Sequence, residues 1–145
     1  MIARHTYLFS GPLILLFLYA SISKMLDFQI FKDQISEIPV LKQFPSAAAV
    51  SVIGMELLTT FLLAIPKWRL SGYYISLALL IPFTGYIVLT VAQESGMSCA
   101  CGGLIEHLSF TQHILFNSFF ILLTSLGIKR EKRNQQDKVH ALSSM

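Results

Sequence analysis

The chain has 145 residues, of which 54% are apolar and 13% are charged, and its mean hydropathy is +0.62. Soluble domains carry about 25% charged residues, so this composition excludes an ordinary soluble domain and also a disordered polymer. The length allows one domain rather than two. We therefore expect a small integral membrane protein in which residues 1–145 form a single transmembrane domain.

Four apolar stretches are long enough to cross the hydrocarbon core of a bilayer, which takes about 20 helical residues. They predict helices at about 7–24, 45–66, 70–93 and 109–128. Because backbone polar groups in lipid must be paired within their own segment, we predict an all-α, integral membrane four-helix bundle. The first stretch also has features of a cleaved signal peptide, but it lacks an A-x-A site, and we favour a retained helix.

The connections between these stretches predict how the helices are arranged. The turn at 66–69 is short, which makes the second and third helices antiparallel neighbours. Small residues at Ala47 and Ser51, and at Gly72 and Ser76, indicate close helix packing.

The longer connection after the first helix carries an apolar stripe at helical spacing. Asp27 is a plausible N-cap and Pro39 a plausible stop, so we predict a short helix on the outer face. The stripe would pack on top of the bundle, and its members are Phe28, Phe31, Ile35 and Ile38.

The distribution of charge predicts the orientation. If the N-terminus is cytoplasmic, the cytoplasmic segments hold eight of the 11 basic residues, as the positive-inside rule requires. We therefore expect a bacterial cytoplasmic (inner) membrane protein with both termini cytoplasmic and with residues 129–145 as a basic cytoplasmic tail. This tail is interpreted as a topology anchor that could also contact anionic lipid, and not as a nucleic-acid patch. The eight residues are Arg4, Lys67, Arg69, Lys129, Arg130, Lys132, Arg133 and Lys138.

The two cysteines of the chain, Cys99 and Cys101, follow the third predicted helix and so fall on the exterior side. Disulfides persist in that oxidising compartment. A disulfide that closes across one intervening residue is expected to be strained, and strained disulfides tend to be the labile or catalytic ones. The region 93–112 contains no Lys or Arg but does contain Glu94 and Glu106, and nearby carboxylates disfavour the reactive thiolate.

Three interpretations of the C-x-C pair remain open from the residues alone. The pair could be a redox-active dithiol or disulfide that exchanges with a partner protein or passes electrons to a membrane acceptor. Cys99, Cys101 and His107 could instead bind Zn or Cu, with His113 as a fourth ligand. The third interpretation is a static disulfide, although a ring this small removes little chain entropy.

An acidic residue, Glu56, lies inside the second predicted helix. It is 12 residues from Phe44, or about 18 Å below the outer end of that helix. Acids inside a membrane usually face the bundle interior and serve a function. With Asn117, Thr84 and Tyr86 it could form one buried polar layer, which would act as a proton relay, as a quinone-binding group or as hydrogen bonds that fix the packing.

The order of four short segments resembles the methylamine utilisation protein MauE family, which is similar to the wider group of DoxX-like membrane proteins. The resemblance covers the chain from Tyr7 to about Ile128, and its most specific element is the C-x-C between the last two helices. The segments are Ala20-Ser21-Ile22-Ser23-Lys24-Met25-Leu26-Asp27, Met55-Glu56-Leu57-Leu58, Cys99-Ala100-Cys101 and the segment from Gln112 to Asn117.

This resemblance implies a four-helix membrane protein linked to methylamine metabolism, in which the family supports maturation of disulfide-rich methylamine dehydrogenase. It also implies periplasmic thiol–disulfide chemistry at Cys99 and Cys101, with Glu56 as a weaker candidate. Our leading hypothesis is a membrane thiol–disulfide oxidoreductase that acts on a periplasmic thiol or disulfide partner and uses a quinone as electron acceptor, with Glu56 as a proton relay. The alternatives are a non-enzymatic assembly factor or accessory subunit with a structural disulfide, and a metal-handling protein that uses Cys99, Cys101 and His107.

Overall fold

The computed structural model describes residues 2–92 and 110–143, and everything that it describes as regular structure is helical. The prediction of an all-α protein is therefore confirmed for this part of the chain. Its five helices are α1 (Ile2–Leu26), α2 (Phe28–Glu37), α3 (Pro45–Ala64), α4 (Arg69–Ala92) and α5 (Phe110–Ser143).

Three of the helices are long and apolar enough to cross a membrane, namely α1 over Tyr7–Leu26, α3 over Pro45–Ala64 and α4 over Arg69–Leu89. This marks the chain as a membrane protein. The fourth predicted crossing, at 109–128, falls mostly within α5, which is not among these three helices. A fourth crossing therefore stays a prediction.

Two helices extend beyond the apolar stretches that define the predicted crossings. α1 begins at Ile2, before the apolar stretch that starts at Tyr7, and α5 continues past residue 128 to Ser143. Residues 129–143 contain neither Gly nor Pro and are rich in Lys, Arg, Glu and Gln, which are good helix formers. Nothing in that segment stops the helix, so the predicted basic tail is helical at least to Ser143.

The side chains are distributed as in a protein that faces lipid. Large apolar residues remain exposed on the long helices, for example Leu15 at 69% and Leu122 at 65%. Among the described residues, buried polar side chains are about as numerous as buried apolar ones. In a soluble protein, most large apolar side chains would be buried and most polar side chains would face water. The reason is that apolar surface is expelled from water but not from hydrocarbon.

The four long helices pack around one apolar cluster. α1 contacts α3 and α5, and α4 contacts the same two helices. The cluster between them consists of Leu13, Phe17, Leu63, Tyr73, Leu80 and Phe120.

The turn between α3 and α4 brings two backbones close together. A Cβ atom at Gly72 would lie 2.9 Å from the backbone nitrogen of Leu63, so only glycine fits there. The predicted packing at Gly72 and Ser76 is confirmed, since Ser76 is fully buried. The same prediction for Ala47 and Ser51 is wrong: both are exposed, and Ala49 is the small residue of that helix that is buried.

The short helix predicted after the first crossing is present as α2, which packs mainly against α3 and also contacts α1. Ile35 of its apolar stripe is buried. Asp27 occupies the N-cap position, as predicted, but its side chain makes no capping hydrogen bond. Packing of the apolar stripe, and not capping, therefore holds this helix in place.

Candidate functional site

The predicted redox pair lies outside the described residues. Cys99, Cys101 and His107 all fall in the segment 93–109 that joins α4 to α5. Their roles, including the weaker alternative of a metal site, stay predictions. Within residues 2–92 and 110–143, no group of three His, Cys, Asp or Glu residues is arranged to hold a metal ion.

The other predicted site residue, Glu56, is buried on α3 and forms an ion pair with Lys24 of α1. Lys24 Nζ donates a hydrogen bond to Glu56 Oε1 at 2.6 Å, and the two side chains are only 11% and 9% exposed. We call these two residues the Lys24–Glu56 pair. Bonds between an ammonium and a carboxylate are short and are about twice as strong as bonds between neutral groups.

A serine hydroxyl lies beside the second oxygen of this carboxylate. Ser21 Oγ is 3.5 Å from Glu56 Oε2, but it is only 2.6 Å from the carbonyl oxygen of Phe17. A hydroxyl has one hydrogen to donate, so the shorter bond to Phe17 takes it and the contact with Glu56 is weak. Lys24 is therefore the main partner of the acid.

The short helix α2 contributes a third element to this site. The ammonium of Lys24 lies 5.5 Å from the centroid of the Phe31 ring, which is within the range of a cation–π interaction. α2 begins one residue after α1 ends, with only Asp27 between them. A single lysine thus joins α1, α2 and α3 near the point where the chain leaves α1.

The depth of Glu56 depends on the helix along which it is measured. Glu56 is 12 residues from Phe44, which places it about 18 Å along α3, as predicted. Its partner Lys24, however, is two residues before Leu26, the last residue of α1. The pair therefore lies within about two turns of the end of α1, because the long side chain of Lys24 reaches from its place on α1 to the carboxylate of Glu56.

The sequence prediction missed both partners of Glu56 on α1. Lys24 and Ser21 were predicted only as members of the first segment that carries the family resemblance. One signal was present: Phe17, Ser21 and Lys24 are four and three residues apart, which places them on one helix face. In addition, Lys24 and Glu56 belong to two of the four segments that carry the family resemblance, and the structure brings those two segments together.

Glu56 and Thr84, two members of the predicted polar layer, form hydrogen bonds with different partners. The described hydrogen bonds of the Glu56 carboxylate go to α1, while Thr84 Oγ1 donates to the Leu80 carbonyl of its own helix. His113 and Asn117 are buried on α5, at 3% and 4% exposure. The amide nitrogen of Asn117 has no hydrogen-bond partner within the described residues.

A second group of buried polar residues lies at the beginning of α4. Arg69 is 3% exposed, its Nε donates to the Leu63 carbonyl at 3.2 Å, and its guanidinium lies 4.4 Å from the Tyr7 ring. Tyr73 lies within electrostatic range of Arg69 and of Glu131 on α5, and Glu131 is 6% exposed. We call Arg69, Tyr73 and Glu131 the Arg69 cluster.

The end of the molecule that carries this cluster also gathers other basic residues. Arg130 lies 5.8 Å from the Phe9 ring of α1, and Lys132 lies 5.6 Å from the Tyr74 ring of α4. We call this the basic end and the opposite end, where α1 meets α2, the α2 end. α4 runs about 35 Å from Arg69 at the basic end to Ala92.

The two groups differ in chemistry. The Lys24–Glu56 pair combines an acid and a base in direct contact, an arrangement that can hold or pass a proton. The basic end combines buried and exposed cations with aromatic rings, as is typical of helix ends at a membrane interface.

Comparison with known proteins agrees with these observations. The sequence profile of the family described as "Methylamine utilisation protein MauE" matches residues 4–130. No curated protein and no solved structure matches the chain. The matched region contains all of α1 to α4 from residue 4 onward, the segment with both cysteines and α5 as far as Arg130. The chain therefore belongs to the MauE family.

Proposed function

We propose that this protein is a four-crossing membrane protein that supports disulfide formation in a partner protein through Cys99 and Cys101. The partner is an extracytoplasmic, disulfide-rich protein. The family name links the proposed function to methylamine metabolism. The protein then acts as a membrane thiol–disulfide oxidoreductase in the bacterial inner membrane, with the C-x-C segment facing the periplasm.

The observation that carries this proposal is the separation of charge between the two ends of the molecule. Arg69, Arg130 and Lys132 lie at the basic end, where α4 begins and the exposed part of α5 continues. By the positive-inside rule, the basic end is the cytoplasmic one. α4 ends at the opposite side of the molecule, so the segment with the cysteines that follows it begins on the periplasmic side, where disulfides persist.

The proposed reaction is a thiol–disulfide exchange followed by reoxidation. A thiolate of the partner attacks one sulfur of the Cys99–Cys101 disulfide, which breaks that bond and forms a mixed disulfide. The second partner thiolate attacks the mixed disulfide, so the partner leaves oxidised and Cys99 and Cys101 remain as two thiols. Two electrons and two protons then pass from these thiols to a membrane quinone, which becomes the quinol while the disulfide forms again.

Glu56 is proposed to relay a proton during this reoxidation. A thiol must lose its proton before its sulfur can attack, and a carboxylate can accept that proton. The contact with Lys24 and the burial of both side chains support this role, since a carboxylate paired with an ammonium stays available as a base.

Trapping of mixed disulfides in cells tests the exchange step. Cells with Cys99→Ala or Cys101→Ala are quenched with acid and analysed on non-reducing gels. We expect adducts that disappear on reduction in at least one of the two variants, and no adduct in the matched Cys99→Ser/Cys101→Ser control. If neither variant forms adducts and client proteins are oxidised as in the wild type, the exchange mechanism is rejected and a structural disulfide is favoured.

Labelling with a membrane-impermeant maleimide tests the placement of the pair. After mild reduction, the thiols in intact spheroplasts are expected to react as completely as those in lysed membranes. A reaction that requires lysis would place the cysteines on the cytoplasmic side, and the proposed function would then lose its oxidising compartment.

A further inference from the structure

We infer that Lys24 is the positioning residue of Glu56: its ammonium holds the buried acid as a carboxylate, and α2 covers the pair through Phe31. The inference deepens the proposed function and rests on it for its purpose, since it names the residue that keeps the proposed relay ready to accept a proton.

The contact geometry requires a charged partner for the acid. A charged acidic residue without a partner is costly in a membrane helix, so Glu56 alone would take up a proton and become neutral. Lys24 Nζ lies 2.6 Å from Glu56 Oε1, which is the distance of a hydrogen bond between charged groups. Two opposite charges at this distance form a neutral unit, which offsets the cost of burying either one.

Within residues 2–92 and 110–143, the acid that pairs with Lys24 is Glu56. Among the described groups, those that act on Glu56 are Lys24 and Ser21, both on α1. The acids nearest in sequence to Lys24 lie on or beside α2, and Asp27 and Asp33 are both exposed. From α4, the charged residue is Arg69, which is held at the basic end by Leu63 and Tyr7. α5 has its buried charge, Glu131, at the same basic end.

α2 contributes an aromatic ring to the site. The Phe31 ring lies 5.5 Å from the ammonium, and α2 packs on α3, the helix that carries Glu56. The neighbouring lysine of α2 is different: Lys32 Nζ donates to Gln29 Oε1 at 2.7 Å in an exposed bond. Lys32 therefore provides a matched control for the removal of a lysine at this end of the molecule.

Infrared spectroscopy of the purified full-length protein in lipid vesicles tests the inference directly, because a protonated carboxyl has a carbonyl band that a carboxylate lacks. We expect the spectra of the wild type and of Lys32→Met to contain no protonated-carboxyl band that the Glu56→Gln substitution removes. Lys24→Met is expected to gain the band, and Lys24→Met/Glu56→Gln to lose it again. Lys24→Arg is expected to keep the wild-type spectrum.

Two results would overturn the inference. One is a wild-type carboxyl band that Glu56→Gln removes, and the other is the absence of a new band in folded Lys24→Met. If Lys24→Met does not accumulate as folded protein, the double variant decides: recovery of folded protein on neutralising Glu56 supports the pairing, and no recovery contradicts it.

The spectroscopic result is separable from the proposed function. If the cysteine variants trap no partner while the infrared bands behave as expected, only the oxidoreductase proposal fails. If partners are trapped and Lys24→Met leaves the spectrum unchanged, only the role of Lys24 fails.

Discussion

The two ends of this protein bury charge in different ways. At the α2 end, Lys24 and Glu56 make a direct contact of 2.6 Å between α1 and α3. At the basic end, Arg69 and Glu131 are as deeply buried, yet Arg69 Nη2 and Glu131 Oε2 have no hydrogen-bond partner within the described residues. The first site is stabilised by a matched pair of charges, whereas the second depends on shape and on contacts between cations and aromatic rings.

An apolar layer separates the two sites. Along α1, Ser10 belongs to the surroundings of the Arg69 cluster and Ser21 to those of Glu56, and about 16 Å of helix lies between them. Leu13 and Phe17 fill that interval and are buried in the central cluster. We therefore expect the two sites to contribute to stability independently.

The largest expected effect is that of Glu56→Gln, which leaves the buried ammonium of Lys24 without its charge partner. Removing one member of a buried ion pair costs about 3–5 kcal/mol, so we expect a loss of this size in the free energy of unfolding. Chemical denaturation in detergent micelles, followed by circular dichroism, measures it. Lys24→Met/Glu56→Gln removes both charges and should recover much of the loss; a double variant as unstable as the single one would contradict direct pairing.

Gly127→Ala tests the importance of shape at the basic end. A Cβ atom at position 127 would lie 2.5 Å from the Tyr73 ring, so the ring must move out of a packed site. Overpacking of this kind costs about 1–3 kcal/mol. The matched control is Gly54→Ala, where a Cβ atom meets nothing within 4 Å. Equal stability of the two variants in the same denaturation assay would show that the contact between Gly127 and Tyr73 does not hold the helices together.

Glu131→Gln is expected to change stability by less than about 1 kcal/mol in either direction. Glu131 Oε2 already lacks a partner within the described residues, so removing the charge sacrifices little and relieves part of the cost of burial. The denaturation midpoint, compared with that of Glu56→Gln, measures the difference between the ends. A loss as large as that of Glu56→Gln would show that Arg69 and Glu131 act as a second ion pair.

The smallest expected effect is the coupling between the two ends. Because the sites lie more than 10 Å apart and share no partner, the losses of Glu56→Gln and Glu131→Gln should add within about 0.5 kcal/mol. A double-mutant cycle measures this coupling. A larger interaction energy would show that the apolar layer transmits strain from one site to the other.

Much of the helical architecture was predictable, because the ability of a stretch to cross a membrane depends on its own length and apolar composition. The short turn before Arg69 correctly predicted that α3 and α4 pack together, and the apolar stripe after Asp27 correctly predicted α2. The continuation of α5 to Ser143 does not follow from its apolar stretch, which defines only the predicted crossing. Lys and Arg leave the hydrocarbon region but continue a helix readily.

The candidate site was predicted only in part. Glu56 stood out because an acid in an apolar stretch is costly and therefore demands an explanation. Its partner Lys24 did not, because 32 positions separate the two residues and no periodic pattern connects them. The cysteines were found from composition and position alone, and the proposed trapping and labelling experiments test their chemistry.

By itself, the sequence determined that this chain is helical, that it faces lipid and that its basic residues favour one end, because these properties follow from the transfer free energy of each segment. Only the tertiary structure decided that Lys24 meets Glu56 and that Tyr73 fits against Gly127. Such contacts depend on how far one helix is shifted and rotated against another, and that depends on packing among all the helices at once.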